Sequence, residues 1–127
     1  ASAEDRSDPA SRAAVRLVNA MRTHALLVAG EGRACTELMD AMGGRVAMKT
    51  GAEGFFVAII PERKLGVALK ITDGASRASA CALATLLAEI GVLDKSHPIA
   101  HKYLNQPVLN RRGIETGRIH AASALHL

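Results

Sequence analysis

Apolar positions recur at helical spacing early in the chain and at strand spacing in its middle. Ala14, Leu17, Val18 and Met21 fall on one face of a helix, with Arg12, Arg16, Asn19 and Thr23 on the other. Asp8-Pro9 reads as its start, the aspartate capping and the proline filling the first turn, where a missing N–H costs nothing. The pattern predicts a helix to about Thr23 that yields in the run LLVAGEG, where Gly30 and Gly32 interrupt it. A shorter helix is predicted over Arg33 to Met42, closed by Gly43-Gly44.

Three strand-like runs come next, Arg45 to Gly51, Gly54 to Ile60 and Leu65 to Ile71, the last two joined by the tight turn Pro61-Glu62-Arg63-Lys64 as an antiparallel hairpin. In the second run both alternating sets, Phe55/Val57/Ile59 and Phe56/Ala58/Ile60, are apolar, which predicts the middle strand of a sheet covered on both faces. The third run is bulky on one side (Leu65, Val67, Leu69, Ile71) and nearly flat on the other. A helix is then predicted from about Ala75 to Ile90, with Asp73 or Ser76 as cap and Gly91 as terminator. From Asp94 onward Pro98, Pro107, Gly113 and Gly117 predict an irregular tail, residues 94–127, with one short helix around Ile99 to Leu104. The fold class is therefore α+β: an antiparallel sheet of at least three strands with packed helices, in one domain or as the C-terminal part of a larger one.

Composition narrows the function classes. Hydrophobic residues make up 49% of the 127, yet Trp is absent and there are one Tyr and two Phe, so burial rests on small and aliphatic side chains. The net charge of +4 is spread along the chain, with Arg63-Lys64 and Arg111-Arg112 the adjacent basic pairs, and few aromatics are available for base stacking; nucleic acid is not an expected partner. No apolar run reaches the roughly 18 residues of a membrane span, and ASAEDRSDPA has no apolar signal core, so no membrane partner is expected. Cys35 and Cys81, without a CxxC, fit a reducing cytoplasm better than a disulfide framework.

Lys49 interrupts the apolar run RVAMKTGAEGFF between Ala47 and Gly51, which share its face of the strand. Small neighbours leave space around its amine, as at the floor of a cleft, where a partly desolvated lysine acts as a base or anchors a carboxylate. The alternative is an edge-strand lysine that discourages aggregation. His97 and His101 stand at i and i+4 but lack a third ligand nearby, so no metal site is expected of them. Cys35 suits either a thiolate near a helix start or a small buried residue, Cys81 suits the core, and Arg111-Arg112 is expected to pair with Glu115.

Lys-Thr-Gly on a strand, succeeded by a hairpin and a closing helix, resembles the penicillin-binding and serine β-lactamase fold. The longer strings GEGRACTELM, KTGAEGFFVAIIPERKLGVALKITDGASRASACALATLLAEIGVLD and NRRGIETG are similar to the C-terminal part of the Rhizobium etli-type bacterial asparaginases, the asparaginase II family, from about Ala14 to Ile119. That resemblance implies hydrolysis of L-asparagine, or a similar small amide, to aspartate and ammonia by two serine-lysine pairings beside a zinc-bearing site. Carried onto this sequence, Lys49 is the lysine that pairs with a serine, Cys35 lies close to the active site, and Thr50, Gly51 and Glu53 are candidate substrate-binding residues.

The sequence departs from the family where the nucleophile belongs. None of its serines (Ser2, Ser7, Ser11, Ser76, Ser79, Ser96, Ser123) has a lysine three positions later. The expected Ser-x-x-Lys turn and the zinc ligands must then come from residues outside this chain, which by itself is expected to be inactive. The expected partner is the N-terminal half of the enzyme or a second copy of the chain, covering an open edge and a bulky sheet face. A non-catalytic binding module of the same fold is the alternative. A hydrolase using Thr50 as a new N-terminus is disfavoured because Thr50 continues a strand.

Overall fold

The computed structural model describes residues 8–122; Ser2, Ser7 and Ser123 lie outside the described residues. Helix α1, Pro9–Thr23, starts where the sequence indicates, with Asp8 Oδ2 accepting from Ser11 N at 3.0 Å and Pro9 in the first turn. It ends at Thr23, as expected; His24 leaves helical geometry, and a separate short helix α2, Ala25–Ala29, which was not expected, precedes Gly30. Helix α3 spans Ala34–Ala41 and closes on Gly43 and Gly44, both with positive φ.

Strands β1 (Ala47–Thr50), β2 (Phe55–Ile60) and β3 (Leu65–Lys70) form an antiparallel sheet in the order β1-β2-β3. Pro61–Arg63 make a 3-10 turn between β2 and β3, and Lys64 turns left-handed at φ 51 to finish it. β2 is central, as expected, but is covered on one face only: Phe56, Ala58 and Ile60 are buried while Phe55 and Ile59 are exposed. The apolar alternation specified two faces able to be buried, and only one meets cover here.

Helix α4 is Ser76–Glu89. Neither Asp73 nor Ser76 caps it: Ala75 is the cap residue, Ser76 is already helical, and Asp73 Oδ1 accepts instead from Ala75 N at 2.9 Å. Its far end is a Schellman turn, Val92 N donating to Leu87 O and Gly91 N to Ala88 O, with Gly91 at φ 79. Helix α5, Pro98–Leu104, is the short helix expected in the tail. Beyond α5 the tail is ordered rather than irregular. Strands β4 (Asn105–Leu109) and β5 (Glu115–His120) pair antiparallel, with a bulge between Val108 and Leu109. Their turn is organised by Asn110, whose Oδ1 accepts from Arg112 N at 2.8 Å and Ile114 N at 3.0 Å.

The chain divides into two compact units. The first comprises residues 8–49 and 57–67 of the described chain. Its interior holds Cys35, Leu38 and Met39 from one face of α3, with Val46 just before β1 and Ala47, Met48 and Ile60 from the strands. Thr36 ties it together through its hydroxyl, which donates to Gly30 O at 2.7 Å. The second comprises residues 50–56 and 68–122, with Phe56, Leu83, Ala84, Leu87 and Ala100 in its interior. In it α4 packs on α5 and β5. Each fully buried leucine contributes about 1.5–3 kcal/mol relative to exposure.

Candidate functional site

The candidate residues fall in both units. In the first, Lys49 is the third residue of β1, where the strand passes from the buried Ala47 and Met48 to the surface; Lys49 itself is exposed. Desolvation of its amine therefore requires cover beyond that supplied by the described residues. Cys35 is the second residue of α3 and is 1% exposed, a small core side chain beside Leu38 and Met39 on the helix's inner face. Two concavities lie within this unit. One, of about 560 Å³, is lined by Val15, Val18 and Arg22 of α1 and by Ile59, Pro61, Lys64 and Leu65 around the β2–β3 turn. The other is smaller and polar, where Arg22 Nε donates to Gly44 O. Neither is lined by Lys49 or Cys35.

In the second unit Thr50, Gly51 and Glu53 sit on one tight reversal. Gly51 N donates to Phe55 O at 2.8 Å and Phe55 N to Ala52 O at 3.3 Å, so Ala52–Phe55 is a turn with Glu53 and Gly54 at its centre. Both central residues have positive φ, 56 and 70, which is type I′ geometry. Asn-Gly or Gly-Gly is the usual occupant; glutamate in the left-handed region costs about 1–2 kcal/mol. A Cβ on Gly54 would come within 3.0 Å of both Gly74 C and Ile71 Cβ, and one on Gly51 within 2.8 Å of the Phe55 ring. A second turn, Ile71–Gly74, closed by Gly74 N donating to Ile71 O at 3.1 Å, lies against the first, and Ile71 N donates to Gly54 O at 3.1 Å. The two turns brace each other through their glycines. Thr50 Oγ1 donates to Phe55 O at 3.3 Å, which holds the hydroxyl at the mouth of the reversal.

The other sequence candidates have structural roles. His97 caps α5, its Nδ1 accepting from Ile99 N at 3.1 Å. Glu115 pairs with Arg118 rather than with Arg111 or Arg112. Burial pushes the Cys81 thiol up, a hydrogen bond with Thr85 offsetting part of that. Neither cysteine is in a disulfide. Among the described residues no cluster of three or more His, Cys, Asp or Glu could hold a metal ion, so the donors present do not fit a zinc site. No helix among them is long and apolar enough to cross a membrane.

The left-handed backbone at Glu53 was missed by sequence reasoning. Its signal was Gly54 directly after Glu53 between adjacent strand-like runs, where a tight hairpin turn places residues of positive φ. The model of the L-asparaginase II family matches residues 1–121. No curated protein matches the chain.

Proposed function

Because the chain belongs to the L-asparaginase II family, we propose that it forms the Lys-Thr-Gly side of an amidohydrolase site that converts L-asparagine to L-aspartate and ammonia. The single observation that carries this reading is the family match across residues 1–121, which takes in the strand bearing Lys49 and the turn after it. In this reading a serine in a Ser-x-x-Lys turn outside the chain attacks the amide carbon. Lys49 accepts the hydroxyl proton and returns it to the departing nitrogen. Water then hydrolyses the acyl ester, so one amide and one water yield one carboxylate and one ammonium. Thr50, Gly51 and Glu53 shape the substrate side, and Cys35 supports the floor from the core. Any zinc is held by residues beyond this sequence, and no step here runs through it. Reduced, buried cysteines support a cytoplasmic setting.

The test is ammonia release. The chain alone should show none, and the chain assembled with the polypeptide supplying Ser-x-x-Lys should turn over L-asparagine. Lys49→Ala in that assembly should lower kcat by about 10²–10⁴-fold. Robust turnover by the chain alone, or an unaffected Lys49→Ala assembly, would overturn the reading.

A second reading, a non-catalytic interaction module, draws support from the exposure of Lys49 and of Leu17, Leu27, Ile59 and Leu65. Sizing chromatography showing a dimer or complex, combined with an assembly that never releases ammonia, would favour it.

A further inference from the structure

Five acids stand in the second unit among the described residues, and four of them have work within the fold. Asp73 accepts from Ala75 N, Asp94 from Ser96, Glu89 pairs with Lys95, and Glu115 pairs with Arg118. Glu53 is different: it is exposed and its carboxylate makes no ion pair or hydrogen bond among the described residues. It also sits at a central position of its turn where the left-handed backbone disfavours glutamate, at φ 56, and where glycine would relieve the strain. The backbone beneath it is held by Gly54 against Ile71 and Gly74, so the carboxylate is presented from a braced platform rather than a loose loop. Strain kept at a braced, solvent-facing acid marks a group retained for what it meets from outside the fold. Its place in sequence, three residues after Thr50 and four after Lys49, sets it at the reversal that ends the candidate strand.

We infer that Glu53 is a specificity-determining residue whose carboxylate receives the α-ammonium of an amino-acid amide; this rests on the amidohydrolase reading. L-Asparagine presents one cation, the ammonium, apart from its reacting amide. Thr50 and Gly51 offer it only a hydroxyl and backbone groups, so an unpaired anion on the same reversal is the chemical complement. A carboxylate that pairs with the substrate ammonium favours asparagine over the analogue lacking it, because only asparagine makes that charge-assisted hydrogen bond.

The experiment compares L-asparagine with succinamate, which keeps the amide and one carboxylate but has no ammonium, in the assembled enzyme. Glu53→Gln should raise KM for asparagine by about 10- to 100-fold, the range of a charge-assisted hydrogen bond, with kcat changed far less. Succinamate kinetics should be nearly unmoved, so discrimination collapses. Glu53→Gly should lose the same discrimination while raising Tm, a separation that a purely structural role cannot produce. An active Glu53→Gln enzyme with unchanged discrimination, or with equal losses on both substrates, would overturn the inference alone. Wild-type enzyme without amide turnover would overturn the functional reading and this inference with it.

Discussion

Helices α1 and α4 are nearly equal in length, 15 and 14 residues, and opposite in burial. α1 is the more sharply amphipathic by sequence, yet none of its residues is buried and Leu17 is 66% exposed. α4 mixes alanine, serine, threonine and leucine around its circumference, yet buries eight residues, including two hydroxyls that donate to Ser76 O and Cys81 O at 2.9 Å. Small side chains let α4 approach its neighbours closely, and back-bonding satisfies its hydroxyls, so a weakly patterned helix becomes core. α1 sets Ser11, Val15, Val18, Met21 and Arg22 partly inward and turns Ala14 and Leu17 out, a face rotated from the one expected. A strong apolar stripe thus identifies a surface that wants cover, whereas packing density decides whether cover arrives.

The widest separation between the two helices should appear on truncating their leucines. Leu83→Ala in α4, at 0% exposure, should cost about 2–5 kcal/mol through lost burial and a residual cavity. Leu17→Ala in α1 should stay within about 0.5 kcal/mol. Denaturant unfolding of both variants checks this, and a comparable loss at Leu17 would mean that α1 is covered in solution.

A smaller effect is expected at the start of α1. Asp8→Ala removes the acceptor for Ser11 N and should cost about 1 kcal/mol of helix stability. Because α1 is not anchored by buried residues, the loss should appear as faster hydrogen exchange confined to its amides, leaving α4 protected. Exchange that quickens in both helices together would break the distinction.

The mildest effect is on acid stability. Hydrogen bonding from the Arg45 guanidinium, then its charge, holds the Glu62 carboxyl below its ordinary range, and the Ser96 backbone N–H does the same for Asp94. Both folded values are depressed, so each contribution is present above the unfolded pKa of about 4 and is lost as pH falls through the folded value. Tm measured against pH should therefore decline more steeply below that point in the native chain than in Glu62→Gln or Asp94→Asn. Both groups are solvent-exposed, which keeps the change small.

Elements with local punctuation were legible: Asp8-Pro9 for α1, Gly43-Gly44 for α3, Pro61 to Lys64 for the hairpin, and Gly91 for α4. α2 was not, because five residues of ALLVA are too few to show a period. The β4–β5 hairpin was hidden by Pro107, which reads as a strand breaker but sits opposite Arg118 in the ladder, and by Gly117 opposite Val108. At the site, the sequence placed Lys49 on a strand and the structure agrees. Its exposure was not readable, since a strand's period tells which side a residue takes and not what lies on that side.

By itself, the amino-acid order determined the α+β class and the hairpin, because capping, turn chemistry and period-two alternation act over a few residues; the family was legible through the resemblance of its longer strings. Only tertiary structure decided which apolar faces are covered and that two glycine-bearing turns brace Glu53 in a left-handed conformation. Those outcomes depend on groups distant in the chain meeting at van der Waals range, and no local pattern encodes which of them arrive.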